Sequence, residues 1–385
     1  MSRPLRVLCA IGSMSGGGAE RQLLEVLRHF DRSRFTPLLY LIHRRGELLE
    51  VIPDDVPVFA FEERVRSPRL YFPGRIHRQQ VHDFEQILRE QQIDVVYDRT
   101  WFMTLLAAPA SRRAGTPRIS VIDSNPAHDL KATAGRFQFL KRRLLRNAYT
   151  QANRVIAVSE SLRREVLRFY QLPTRQVISL PNGIDLRLID RLLADETIKL
   201  EPDRFHIVAV GRIQEEKGYN HLLQAIEMLV HARNMKHLCL HILGDGRQRQ
   251  ELEEFVRANN LNDHVRFHGF VANPFPFYRQ ADLFCLSSLY EGLPTVILEA
   301  LACRIPVLST DCPTGPREIL VGGEFGRLVP PADPAALANA IAEAATNPGP
   351  WCAKIDPARA HVERNYSIRV TIARLESLLT EIGGQ

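Results

Sequence analysis

Residues 6–21 read Arg6-Val-Leu-Cys-Ala-Ile-Gly-Ser-Met-Ser-Gly-Gly-Gly-Ala-Glu-Arg21. Arg6–Ile11 is a short, mostly apolar run, as a buried strand requires. Three glycines then permit a tight turn, and a helical pattern runs from Ala19 to Phe30. Strand, glycine turn and amphipathic helix together make half of a βαβ unit. The same alternation continues outward. Leu38–Ile42, Val56–Phe61, Val95–Tyr97, Ile119–Ile122 and Val155–Val158 read as strands, and Ser159-Glu-Ser supplies an N-cap to the helix that follows. Strands alternating with helices predict a parallel sheet covered on both faces.

The alternation pauses after Ile178-Ser-Leu-Pro-Asn-Gly-Ile-Asp185 and a polar stretch to Arg204. It restarts with His206–Val210, which breaks at Gly211, and continues through Leu238–Leu243, Val265–Phe267, Leu283–Leu286 and Ile305–Ser309. Pro330-Pro-Ala-Asp-Pro then opens an Ala-rich helix. The expectation is an α/β chain of two doubly wound halves. Residues 1–190 form the first domain, 191–365 the second, and 366–385 a helix returning to the first. Ligands of such units bind outside the carboxyl ends of the strands.

At 385 residues the length suits two domains. Hydrophobic residues at 45% and charged residues at 24% exclude a disordered chain, a fibrous repeat and a disulfide miniprotein. The net charge of +6 is unevenly divided. Residues 1–190 hold 30 basic and 20 acidic side chains, and the remainder holds 20 and 24. A polyanion, anionic membrane or phosphorylated substrate should favour the first half. No apolar run approaches the ~20 residues of a membrane span, and the apolar start is too short for a signal peptide. Six cysteines without a C-x-x-C pair read as buried thiols in a reducing cytosol. The 13 histidines include no H-E-x-x-H, and D-x-D is absent, so no metal or other cofactor is expected.

Three segments carry chemistry. Gly16 and Gly17 follow the first strand, where backbone N–H groups and a helix N-terminus can meet an anion; the plain alternative is a tight turn. Gly211-Arg-Ile-Gln-Glu-Glu-Lys-Gly218 follows a strand of the second half. Arg212 and Lys217 there suit a diphosphate, or are simply solvated. The third is Ser287-Ser-Leu-Tyr-Glu-Gly-Leu-Pro-Thr-Val-Ile-Leu-Glu-Ala. Pro294 fits the first turn of a helix, Thr295 and Val296 offer N–H groups, and Glu291 and Glu299 can accept from sugar hydroxyls. A purely structural cap is the alternative.

These residues resemble the retaining glycosyltransferases of family 4. The E-x7-E signature is Glu291 to Glu299, and G-R-x(3–4)-K-G is Gly211, Arg212, Lys217 and Gly218. Pro181-Asn-Gly-Ile-Asp and Val265-Arg-Phe-His-Gly-Phe also match in place. The Gly16 loop and Cys312-Pro-Thr-Gly-Pro-Arg-Glu resemble a subgroup that builds surface polysaccharide, lipopolysaccharide and other glycans. The resemblance implies the GT-B fold, two Rossmann-like domains facing across a cleft. It implies sugar transfer from a nucleotide sugar, UDP-linked by family frequency, to a glycan or lipid-linked acceptor held by the first domain, without metal. Arg212 and Lys217 would hold the diphosphate, Glu299 the ribose and Glu291 the transferred sugar. Gly16, Gly17, Gly211, Gly292, Leu293, Pro294, Thr295 and Val296 would complete the phosphate cradle, with Phe270 and Val271 beside the base. Many relatives carry a His just after the strand that here is Ile119–Ile122. This chain has Asp123-Ser-Asn-Pro-Ala-His128, so His128 or Asn125 takes that place, with Arg99 also on the acceptor side. A UDP-sugar epimerase and a non-catalytic nucleotide- or glycan-binding protein are the rivals.

Residues 112–146 hold nine Lys or Arg against two Asp. Phe137, Leu140, Leu144 and Ala148 fall at helical spacing, with Lys141, Arg142, Arg143 and Arg146 near them. Such a helix lies on anionic lipid, or turns its stripe to its own core. No aromatic-basic motif supports nucleic acid. The expected location is cytoplasmic, with a peripheral contact on the inner membrane face.

Overall fold

The computed structural model describes residues 3–65, 74–134, 137–195 and 198–384. The chain divides into two compact units, Met1–Gly183 with Ile368–Gln385, and Ile184–Ser367.

The first unit is built on seven parallel strands: β1 (Leu5–Ile11), β2 (Phe35–Leu41), β3 (Val58–Ala60), β4 (Val95–Arg99), β5 (Arg118–Ile122), β6 (Arg154–Ala157) and β7 (Val177–Ser179). Their spatial order is β3-β2-β1-β4-β5-β6-β7. The second unit has six: β8 (Phe205–Val210), β9 (Leu238–Leu243), β10 (Val265–Gly269), β11 (Leu283–Leu286), β12 (Val307–Thr310) and β13 (Arg327–Val329), in the order β10-β9-β8-β11-β12-β13. Each unit is thus a doubly wound Rossmann-like domain. Its switch point lies between β1 and β4 in the first and between β8 and β11 in the second. The apolar runs become central strands because helices cover both faces: Val7, Leu8, Cys9 and Ala10 are all fully buried. Ser159 caps its helix as expected, its Oγ accepting from the Leu162 N–H at 3.1 Å.

Two points differ from the sequence reading. The β13 strand has no counterpart in the sequence reading. It is a three-residue edge strand that begins on exposed Arg327, too short to leave an apolar run. The boundary lies at 183/184, not 190/191, because residues 186–195 form a helix of the second unit. Asp185 Oδ1 caps that helix, accepting from Arg187 and Leu188 N–H at 3.0 and 3.1 Å. Asp190 pairs with buried Arg359 at 2.8 Å, and Arg279 donates to the Leu193 carbonyl at 2.9 Å. The last helix starts at Ile368 and belongs to the first unit. Its Glu376 accepts the Asp31 N–H at 2.8 Å and pairs with Arg34 at 3.3 Å. Gly183 sits so close to it that a Cβ would stand 2.7 Å from the Ile368 Cα.

Among the described residues no helix is long and apolar enough to cross a membrane. Five of the cysteines are buried free thiols, and Cys352 is exposed.

Candidate active site

At the switch point of the second unit, the loops after β8 and β11 are fastened to each other. Gly218 has φ +61, and a Cβ there would lie 2.3 Å from the Ser287 carbonyl oxygen. Only glycine allows both the backbone angle and this approach. Ser287 Oγ donates to the Lys217 carbonyl at 2.8 Å, and the Leu289 N–H donates to the Glu216 carbonyl at 2.8 Å. This lock brings Lys217 Nζ to 2.6 Å from Glu291 Oε1, which also accepts from Ser288 Oγ at 2.7 Å. Among the described residues both of these bonds end on Oε1. The Lys217 and Glu291 side chains keep 20% and 11% exposure, enough to meet a ligand while staying oriented. Exposed Arg212 lies on the same loop.

Glu299 is four residues into the helix Thr295–Ala302, half-buried, and accepts from Tyr278 Oη at 3.4 Å. Burial first, then the Glu299 charge, raises the Tyr278 phenol far above its ordinary value, so it stays a donor. Pro294 is the N-cap of this helix, one position earlier than expected. Gly292, Leu293 and Pro294 are buried under the Cys312–Pro316 loop. Gly315 has φ +94, and a Cβ there would lie 2.5 Å from Pro294 Cδ. Thr314 Oγ1 donates to the Glu291 carbonyl. Val271 and exposed Phe270 follow β10, whose Gly269 carbonyl accepts the Gly244 N–H at 2.6 Å.

The first unit has a different arrangement at its own switch point. Gly16 takes φ +79, and Gly17 is the buried N-cap of the helix Gly18–His29. Arg99, the last residue of β4, is 1% exposed. Its guanidinium donates to both carboxylate oxygens of Asp123 and, at 2.8 Å, to Asn182 Oδ1. Burial opposes the Arg99 charge, but Asp123 outweighs it and holds the group above its ordinary value. Arg99 is therefore held by Asp123 and Asn182, with almost none of its surface reaching solvent. Asn125 is buried and caps the helix Pro126–Ala134, its Oδ1 accepting the Ala127 N–H at 3.0 Å. His128 is half-buried on the first turn of that helix. A cavity of about 230 Å³ opens beside these residues. Asp123, Ser124, Asp129, Trp101 and Lys141 are in its lining, and among the described residues His128 and Asn125 are not. The Lys141 ammonium sits 3.2 Å from the Trp101 ring centroid.

Four contributors were not assigned roles from sequence. Asn182 lies in the matched Pro181-Asn-Gly-Ile-Asp turn, and Thr314 in the matched Cys312 run, so their motifs signalled them without saying what they touch. Ser288 and Asp123 carried no signal beyond adjacency to other motif residues.

Comparison with known proteins fits this division. A family model described as Glycosyltransferase Family 4 matches residues 16–188, and one described as Glycosyl transferases group 1 matches residues 204–347. A putative glycosyltransferase, EpsF of Bacillus subtilis, is 30% identical over 325 residues, which are 80% of this chain and 79% of the relative. An N-acetylgalactosamine-N,N'-diacetylbacillosaminyl-diphospho-undecaprenol 4-alpha-N-acetylgalactosaminyltransferase of Campylobacter jejuni is 33% identical over 182 residues, or 47% of each chain. HepE of Anabaena, solved in complex with UDP-glucose, superposes with a TM-score of 0.81 at 22% identity over 98% of this chain and all of that one. With one family model on each unit, and a relative aligned along four-fifths of the sequence, the chain belongs to the group 1, family 4 glycosyltransferases.

Proposed function

We propose that this glycosyltransferase moves a sugar from a UDP-sugar to a glycan or lipid-linked acceptor, with retention at the anomeric carbon and without metal. The observation that carries the proposal is the Lys217–Glu291 pair, 2.6 Å long, at the switch point of the second unit and beside the helix Thr295–Ala302. The donor diphosphate would draw Lys217 away from Glu291 and take its charge, with Arg212 beside it. The Thr295 and Val296 N–H groups, at the helix start, would meet its oxygens. Glu291, released from Lys217, would accept from a hydroxyl of the transferred sugar, and Glu299 from the ribose. Backbone around Gly211, Gly292 and Leu293 would complete the cradle, with Phe270 and Val271 beside the base.

In the reaction the bond from the anomeric carbon to the diphosphate oxygen breaks, and a bond to the acceptor oxygen forms on the same face. The acceptor proton passes to the leaving phosphate. Lys217 and Arg212 stabilise the charge that develops there. The UDP-glucose bound to HepE and the lipid-diphosphate acceptor in the name of the Campylobacter relative support the substrate classes.

Acceptor binding is assigned to the first unit, at the cavity holding Asp123 and Trp101. A membrane contact is part of the proposal. Phe137, Phe139, Leu140 and Leu144 are 72, 79, 53 and 49% exposed, and Arg143 and Arg146 are exposed beside them. Leu145, Ala148 and Tyr149 make the buried face instead. The basic side is smaller than the sequence count. Arg118 is buried on Asp98, Arg142 donates to the Phe169 carbonyl, and Arg136 and the Lys131 side chain lie outside the described residues.

The test is a panel of UDP-, GDP- and ADP-sugars with lipid-diphosphate acceptors, with and without chelator. A UDP-sugar accepted with chelator present, giving a product of retained anomeric configuration, is expected. Product formed from donor alone would identify an epimerase instead. Sedimentation with anionic vesicles at low salt, set against neutral ones, tests the membrane contact; equal binding to both removes it.

A further inference from the structure

One sheet face of the second unit carries a polar row that the transfer reaction does not use. β8 and β9 pair with His206 opposite Cys239, and β9 pairs with β10 so that His241 lies opposite Arg266. His206, Cys239 and His241 therefore share one face, away from the apolar cluster of Ile207, Leu240 and Ile242. All three are buried. His206 Nδ1 and His241 Nε2 face each other at 2.9 Å. With Cys239 the two histidines form a group in which one ligand atom from each residue lies within 4.8 Å of the others.

The outer nitrogens are already tied. His206 Nε2 lies 2.7 Å from the Glu201 carbonyl, which can only accept, so that nitrogen carries the proton and Nδ1 presents its lone pair. His241 Nδ1 lies 3.0 Å from His268 Nε2. The Phe277 ring packs on His268, at 4.7 Å between centroids, and holds the far end. Imidazoles that bind a metal need this second hydrogen bond to fix ring and tautomer. Opening the gap between the two facing nitrogens by a few tenths of an ångström reaches the spacing that bonds of about 2.0–2.1 Å to one ion require.

We propose that His206 Nδ1, His241 Nε2 and Cys239 Sγ bind a divalent transition ion of the zinc type, at the amino ends of β8 and β9. Two imidazoles and a thiolate select zinc and cobalt over magnesium or calcium. On binding, the Cys239 thiol loses its proton to water. His241 moves its proton from Nε2 to Nδ1 and donates to His268 Nε2, and the His268 proton shifts from Nε2 to Nδ1. One proton is released per ion. The Arg212–Gly218 loop leaves the opposite end of β8, so the ion would clamp the sheet rather than touch the transferred sugar.

The experiment uses tag-free, full-length protein stripped with chelator and titrated with Co²⁺. Binding of one Co²⁺ per chain with a thiolate-to-cobalt absorption band is expected. The band should vanish in Cys239→Ser and persist in Cys352→Ser, which removes the exposed thiol. No stoichiometric binding by the wild type, or a band that survives Cys239→Ser, overturns the site. X-ray absorption on the unsubstituted zinc-loaded protein reads the shell directly. Two imidazole nitrogens and one sulfur support the assignment, and a shell without sulfur overturns it whatever the variants do.

Discussion

The two switch points have the same strand order and opposite uses of an ion pair. At the end of β4, Arg99 is 1% exposed and its guanidinium is shared between Asp123 and Asn182. At the ends of β8 and β11, Lys217 and Glu291 keep 20 and 11% exposure and join through a single ammonium contact. A buried, bidentate arginine is costly to disturb and holds backbone in place. A lysine on a flexible stem, partly in water, can exchange its partner for a ligand more readily. The topology sets where the loops gather, and the depth and type of the cation decide how firmly they are held.

The largest effect expected is on the buried side. Arg99→Ala should lower the unfolding free energy by roughly 3–5 kcal/mol, because Asp123 is left charged with no partner. Urea denaturation measures it, and a loss below about 1 kcal/mol would break the contrast. Lys217→Ala should do the converse. Sugar transfer should fall by about 10²–10³-fold, as for loss of a donor to a developing anion. Its unfolding midpoint should move less than that of Arg99→Ala, since Glu291 keeps its bond from Ser288 and some contact with water. A variant that transfers normally, or one that unfolds instead, would equally sink the assignment.

Smaller changes sharpen the comparison. Glu291→Gln keeps the shape and an acceptor for Ser288 but removes the charge, so the donor KM or kcat should worsen about 10–100-fold, in line with a hydrogen bond to a charged group. Thr314→Val should cost about fivefold in kcat/KM, the effect of one neutral hydrogen bond to the Glu291 carbonyl. Ser159→Ala serves as the control away from both sites. It should remove about 1 kcal/mol of stability through the lost cap and leave the kinetic constants unchanged.

The sequence made the strands of both sheets legible except β13, because a parallel strand buried on two faces must be a short unbroken apolar run. The turns were legible for a related reason: Gly16 and Gly218 occupy backbone angles that other residues rarely adopt. The loops of the candidate site were therefore found in sequence. What they do to each other was not. Thr314 under Glu291 and Asn182 against Arg99 are contacts between segments far apart in the chain, and no periodicity reports them. The Leu186–Asp195 helix lies within what reads as a polar stretch, yet Leu186, Ile189, Leu192 and Leu193 recur at helical spacing and make its less exposed side.

The sequence by itself determined the α/β class, the two doubly wound units and the loops that carry Arg212, Lys217, Glu291 and Glu299. These follow from local patterns of burial and backbone freedom. Only the tertiary structure decided that Lys217 pairs with Glu291 across 74 residues, that Arg99 is spent on Asp123, and that Phe137, Leu140 and Leu144 face outward. An apolar stripe reads the same whether it meets a core or solvent. Histidines and a cysteine far apart in sequence meet at His206, Cys239 and His241 because strand register places them on one face.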